Sequence, residues 1–126
     1  MSELAIARSI ATTARRVLIV EDEVLIAMVL EDMLDMLGYT VVSSPASYAD
    51  ADAAIMAGGF DVAILDVNLG RDPVFPLAAK LLAAGTPIVF ATGSHRDTLP
   101  EIFAGVPVLE KPYAMEAVET AFTKLG

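Results

Sequence analysis

The chain contains no cysteine, which excludes a disulfide framework, a thiol nucleophile and a zinc–thiolate centre. Its 1 histidine rules out a multi-histidine metal site. No apolar run reaches the ~18 residues that would cross a bilayer. The opening segment MSELAIARSIATTAR lacks the continuous apolar centre of a secretory signal. Basic residues are scarce: Lys and Arg number 8 against 17 Asp and Glu, for a formal net charge of -9. So acidic a chain is repelled by nucleic acid and by anionic membrane. No GxxxxGK[ST] loop is present to cradle a nucleotide. The expectation is a cytoplasmic protein that binds cations or a partly basic partner.

What the chain does have is apolar residues, 56% of its 126. That is enough to build one buried core and too much for a disordered tail. Residues 1–15 read as an N-terminal extension and 16–126 as one domain, with no second, output domain. From Val17 onward, strand-like and helix-like segments alternate. Val17–Val20 and Val62–Leu65 are short apolar runs of the kind covered on both faces, and Thr40–Ser43, Pro87–Ala91 and Pro107–Leu109 read as the other three strands. Glu23–Leu37, Ser47–Ala57, Val74–Ala84 and Tyr113–Leu125 read as helices, the first three ended by Gly38, Gly58-Gly59 and Gly85. Leu99–Ala104 can form only a short helix before Gly105, so the fourth helix is short or disordered. Five strands each followed by a helix imply a doubly wound parallel sheet with helices on both faces. In the order 2-1-3-4-5 the active crevice lies at the carboxyl ends of strands 1 and 3.

Several polar residues fall at those strand ends. Glu21, Asp22 and Glu23 follow the first strand, Asp66 ends the third, Thr92 follows the fourth and Lys111 follows the fifth. Singly, each has an ordinary explanation as a helix cap or a surface charge. Together they crowd one edge of one sheet. Clustered carboxylates repel, and a hard divalent cation such as Mg²⁺ relieves that repulsion. A lysine and a hydroxyl beside the cation can each engage an anionic oxygen, a combination suited to a phosphoryl group.

The motifs VLIVEDE (Val17–Glu23), AILDVNL (Ala63–Leu69), VFATG (Val89–Gly93) and LEKPY (Leu109–Tyr113) resemble those of response-regulator receiver domains in two-component signalling. The VFATG stretch is also similar to the FATGUY-type single-domain regulators. The resemblance covers about residues 16–125 and implies a flavodoxin-like fold. It implies that Asp66 is the phosphoacceptor, with Thr92 and Lys111 contacting the phosphoryl group. Glu21, Asp22, Asp66 and the Asn68 backbone carbonyl would hold Mg²⁺, and the Lys111–Pro112 bond would be cis. The implied role is to accept a phosphoryl group from a histidine kinase or histidine phosphotransfer protein, and then to signal to a downstream protein partner or relay. Such a protein is not a classical enzyme, although it catalyses its own phosphorylation and dephosphorylation.

The chain departs from its relatives at several positions. Glu21 stands where Asp is common, Gly70 where many have Pro, and Val108 where an aromatic switch residue is usual. With no ring at Val108, output is expected through Gly93–Pro100, ordered when Thr92 turns to the phosphoryl group. Met28, Met33, Met36, Leu25 and Val29 make the first helix apolar around much of its circumference, which suggests a docking patch. His95 reads as a solvated loop residue, and Phe75, Phe103 and Phe122 as core. Two other functions fit parts of the pattern. A haloacid-dehalogenase-type phosphatase also uses an Asp nucleophile and Mg²⁺, but needs a second Asp where Asn68 stands. A receiver-like binding module that is never phosphorylated would have no need of the Asp22, Asp66, Thr92 and Lys111 set.

Overall fold

The computed structural model describes residues 15–93 and 99–125. His95, most of the Gly93–Pro100 segment and nearly all of the N-terminal extension lie outside the described residues. The strands are β1 (Arg16–Val20), β2 (Thr40–Ser43), β3 (Val62–Asp66), β4 (Asn68–Leu69), β5 (Asp72–Pro73), β6 (Ile88–Thr92) and β7 (Val108–Glu110). The helices are α1 (Val24–Met36), α2 (Tyr48–Ala57), α3 (Phe75–Ala83) and α4 (Met115–Thr123). The main sheet has five strands in the order β2-β1-β3-β6-β7, all paired in parallel. This is the expected 2-1-3-4-5 arrangement, with β4 and β5 forming a separate antiparallel hairpin that the sequence reading did not foresee.

Side chains alternate across a strand, so each central strand feeds two cores. Val17 and Ile19 of β1 face α1 and α4, where they meet Leu30, Leu34, Val118 and Phe122. Leu18 and Val20 face α2 and α3, where they meet Ala51, Leu77 and Leu81. A continuous apolar run is thus what a strand covered on both sides requires. The helix boundaries have local causes. Ser47 caps α2 by accepting the Asp50 N–H at 3.1 Å. Gly38, at φ 92, takes the left-handed turn that ends α1, and Tyr39 N–H then reaches back to the Leu34 carbonyl.

The expected short helix after residue 99 is a single 3₁₀ turn, Glu101–Phe103, which starts after Pro100. Its anchor is Phe103. The ring stacks on Phe75 at 5.6 Å and meets Phe90 edge-on at 5.2 Å. One aromatic cluster does the packing that a longer helix would otherwise provide.

Candidate functional site

In a parallel sheet all carboxyl ends lie on one edge, and β1, β3 and β6 are neighbours there. Val20 sits beside Leu65, and Asp66 beside Ala91. Glu21 and Asp22 leave β1, Asp66 ends β3, Thr92 ends β6 and Lys111 leaves β7. The fold brings these sequence-predicted residues together. Glu21, Asp22 and Asp66 each offer a carboxylate oxygen, all within 4.8 Å of one another. The Lys111 ammonium lies 2.6 Å from Glu21 Oε1 and 3.1 Å from Asp66 Oδ2. Lys111 N–H donates to the Thr92 carbonyl at 2.9 Å, tying the lysine to the hydroxyl residue through the backbone. The Lys111–Pro112 bond is cis, as the motif implied. A cavity of about 370 Å³ opens onto Asp22, Asp66, Asn68, Gly70 and Lys111.

Burial sets the electrostatics. Glu21 is 2% exposed and Asp66 6%. Burial pushes Glu21 up to about 7, against the lowering pull of Lys111. Burial also raises Asp66, with Glu21 and Lys111 pulling the other way. Burial works against the Lys111 charge as well, but Glu21 and Asp66 outweigh it and hold the amine above its usual value. Asp22 behaves differently. Its modest burial is overcome by hydrogen bonding with Glu21, the Gly70 amide and Asp66, and its carboxyl is lowered.

Three carboxylates against one ammonium leave an excess of negative charge. Glu21 Oε2 accepts the Glu23 N–H at 3.1 Å, but buried Oε1 has no aligned hydrogen-bond donor and shares the Lys111 charge with the neighbouring Asp66 carboxylate. An acid oxygen left so, within a set of hard oxygen donors, fits a hard divalent cation such as Mg²⁺. Asn68 suits the same site. Its N–H donates to Asp66 Oδ1 at 3.2 Å, and Pro73 opposite it has no N–H to occupy its carbonyl.

Two participants escaped the sequence reading. Gly70 N–H donates to Asp22 Oδ2 at 3.0 Å. In the sequence Gly70 stands out only as a departure from the usual Pro, and nothing there names the target of its amide. Tyr113 is buried beside the acids, and burial together with Glu21 and Asp66 holds its phenol well above the ordinary value. The exposed face of α1 adjoins it. Leu25, Ile26, Val29, Pro112 and Tyr113 line an apolar cleft of about 480 Å³ next to Lys111.

Comparison with known proteins agrees with this geometry. Residues 17–122 match the response regulator receiver domain. The transcriptional regulatory protein PdtaR of Mycobacterium tuberculosis (strain ATCC 25618 / H37Rv) is 33% identical over 125 residues, covering 90% of this chain and 60% of PdtaR. The chain therefore spans about 60% of the length of the curated relatives it matches. The solution structure of SdrG from Sphingomonas melonis Fr1 superposes with a TM-score of 0.80 at 45% identity, covering 90% of this chain and 97% of SdrG. The BeF3-activated conformation of SdrG from Pseudomonas melonis Fr1 gives 0.76 at 45% identity and the same coverage. Strand order, acidic edge and sequence motifs lead to one conclusion: the chain belongs to the response regulator receiver domain family of two-component signalling.

Proposed function

We propose that the chain acts as a stand-alone receiver, taking a phosphoryl group onto Asp66 from a histidine kinase or a histidine phosphotransfer protein. The observation that carries this reading is the Asp66 carboxylate itself. It opens to the cavity at the end of β3, with Lys111 Nζ 3.1 Å away and two further acids within reach of a shared cation. In the reaction a carboxylate oxygen of Asp66 attacks the phosphorus of a phosphohistidine. The new P–O bond forms as the P–N bond breaks, and the imidazole leaves. The Lys111 ammonium pairs with a phosphoryl oxygen, and the Thr92 hydroxyl donates to another. Glu21, Asp22, Asp66 and the Asn68 carbonyl would hold Mg²⁺, which supplies charge neutralisation of the phosphoryl oxygens. The same site would later hydrolyse the acyl phosphate.

Membership of the family implies exchange with a kinase or phosphotransfer partner in general. The apolar cleft beside Lys111 and the exposed α1 residues Leu25, Met28 and Val29 support docking of the donor there. Incubation with acetyl phosphate or phosphoramidate and Mg²⁺ tests the phosphoacceptor. Intact mass should rise by one alkali-labile phosphoryl group, and Asp66→Asn should abolish the gain. Normal labelling of that variant would sink the assignment.

A further inference from the structure

The β4–β5 hairpin follows the phosphoacceptor directly and is built on a two-residue period. Asn68 N–H donates to Asp66 Oδ1 and Gly70 N–H to Asp22 Oδ2, whereas Leu69 between them is buried in the core shared with α2 and α3. Val74 N–H closes the base of the hairpin on the Val67 carbonyl at 3.1 Å. Asn68 in β4 and Gly70 in the turn that follows thus aim their amides at Asp66, at the end of β3, and at Asp22, in the loop after β1. The tip needs glycine for its backbone, not for space. Gly70 has φ +63, and a Cβ there would meet nothing within 4 Å.

We infer that Gly70 is a positioning residue for Asp22, and that its amide biases the site toward Mg²⁺ over Ca²⁺. The inference rests on the Mg²⁺ reading above. A carboxylate has two oxygens, and the Gly70 amide engages one of them through a charge-assisted hydrogen bond. The other is left for a cation. Mg²⁺ is small, keeps several waters and needs few carboxylates, while Ca²⁺ favours more oxygen ligands, often both oxygens of one carboxylate. Giving both Asp22 oxygens to Ca²⁺ would break the Gly70 bond, so an anchored Asp22 handicaps the larger ion. Loss of a group that orients a metal ligand typically costs about 10–100-fold in metal affinity.

Calorimetric titration of the full chain with Mg²⁺ and with Ca²⁺ tests this. Gly70→Asn retains the N–H and tolerates a left-handed backbone, so both affinities should stay within about twofold of wild type. Gly70→Pro lacks the N–H and also forbids the positive φ of this turn, so the ion preference is the readout: Mg²⁺ should weaken about tenfold or more and Ca²⁺ less, whereas an equal loss for both ions would overturn the inference. Unchanged affinities for both ions in Gly70→Pro would overturn the inference. Should that variant fail to fold, amide exchange in the wild type decides. The Gly70 amide should stay protected when Mg²⁺ saturates the protein, and loss of protection on saturation would equally overturn it. Failure of the underlying reading looks different: wild type would bind no Mg²⁺, or Asp22→Asn would bind it as well as wild type.

Discussion

Lys111 Nζ approaches Glu21 Oε1 more closely, at 2.6 Å, than it approaches Asp66 Oδ2, at 3.1 Å. Glutamate carries one methylene more than aspartate, and that extra reach lets the first acid of the VLIVEDE motif hold the lysine directly. Lys111→Met removes the cation that offsets these carboxylates. Glu21 can then take up a proton instead of forcing the chain to unfold. The loss of stability should therefore be small at pH 5.5 and grow to about 1–3 kcal/mol at pH 8. Urea unfolding at the two pH values checks the trend. Phosphorylation by a small donor should fall sharply in the same variant.

The raised carboxyl of Glu21 has a definite sign in stability. Its folded value of about 7 exceeds the ordinary 4.5, so between these values the folded chain binds more protons than the unfolded one. The metal-free protein should therefore lose stability as pH rises from about 4.5 to about 7. Asp66, also raised, contributes in the same direction. Mg²⁺ competes with those protons, so its apparent affinity should increase over the same interval. Thermal melts from pH 5 to 8, with and without millimolar Mg²⁺, should diverge as pH rises. Glu21→Gln should flatten the metal-free curve.

Leu25 is 77% exposed and Met28 52%, on a helix whose opposite side holds Ala27, Leu30 and Leu34 in the core. A charge at position 28 therefore costs the fold little and spoils an apolar contact surface. Met28→Glu should slow phosphoryl transfer from a cognate kinase about tenfold or more, in the range of an interface anchor, while leaving labelling by acetyl phosphate unchanged. Loss of both activities would show that the substitution had damaged the fold.

Phe103 is the anchor for the turn that stands in place of a fourth crossover helix. Phe103→Ala would remove its contacts with Phe75 and Phe90 and leave a cavity under that turn. A stability loss of about 3–5 kcal/mol is expected by chemical denaturation. Phe103→Leu should recover much of it.

Much of the architecture was legible before folding was considered. Val17–Val20 and Val62–Leu65 are apolar at every position, which only a strand covered on both faces requires. Gly38 and Ser47 mark helix ends by backbone freedom and side-chain capping, both local properties. The acids and Lys111 could be placed at one edge because parallel topology puts all carboxyl ends together. Tertiary structure alone decided the rest. Strands of two residues, as in the Asn68–Pro73 hairpin, are too short to show a period. The Gly70–Asp22 bond joins a backbone amide to a side chain 48 residues away, and an amide leaves no mark in a sequence. Leu25, Met28 and Leu30 are equally apolar as letters, and only the packing of α1 against the sheet determined which stayed in water. The preference of Lys111 for Glu21 over Asp66 arises likewise from distances of a few tenths of an ångström, set by how three strands and a loop come together.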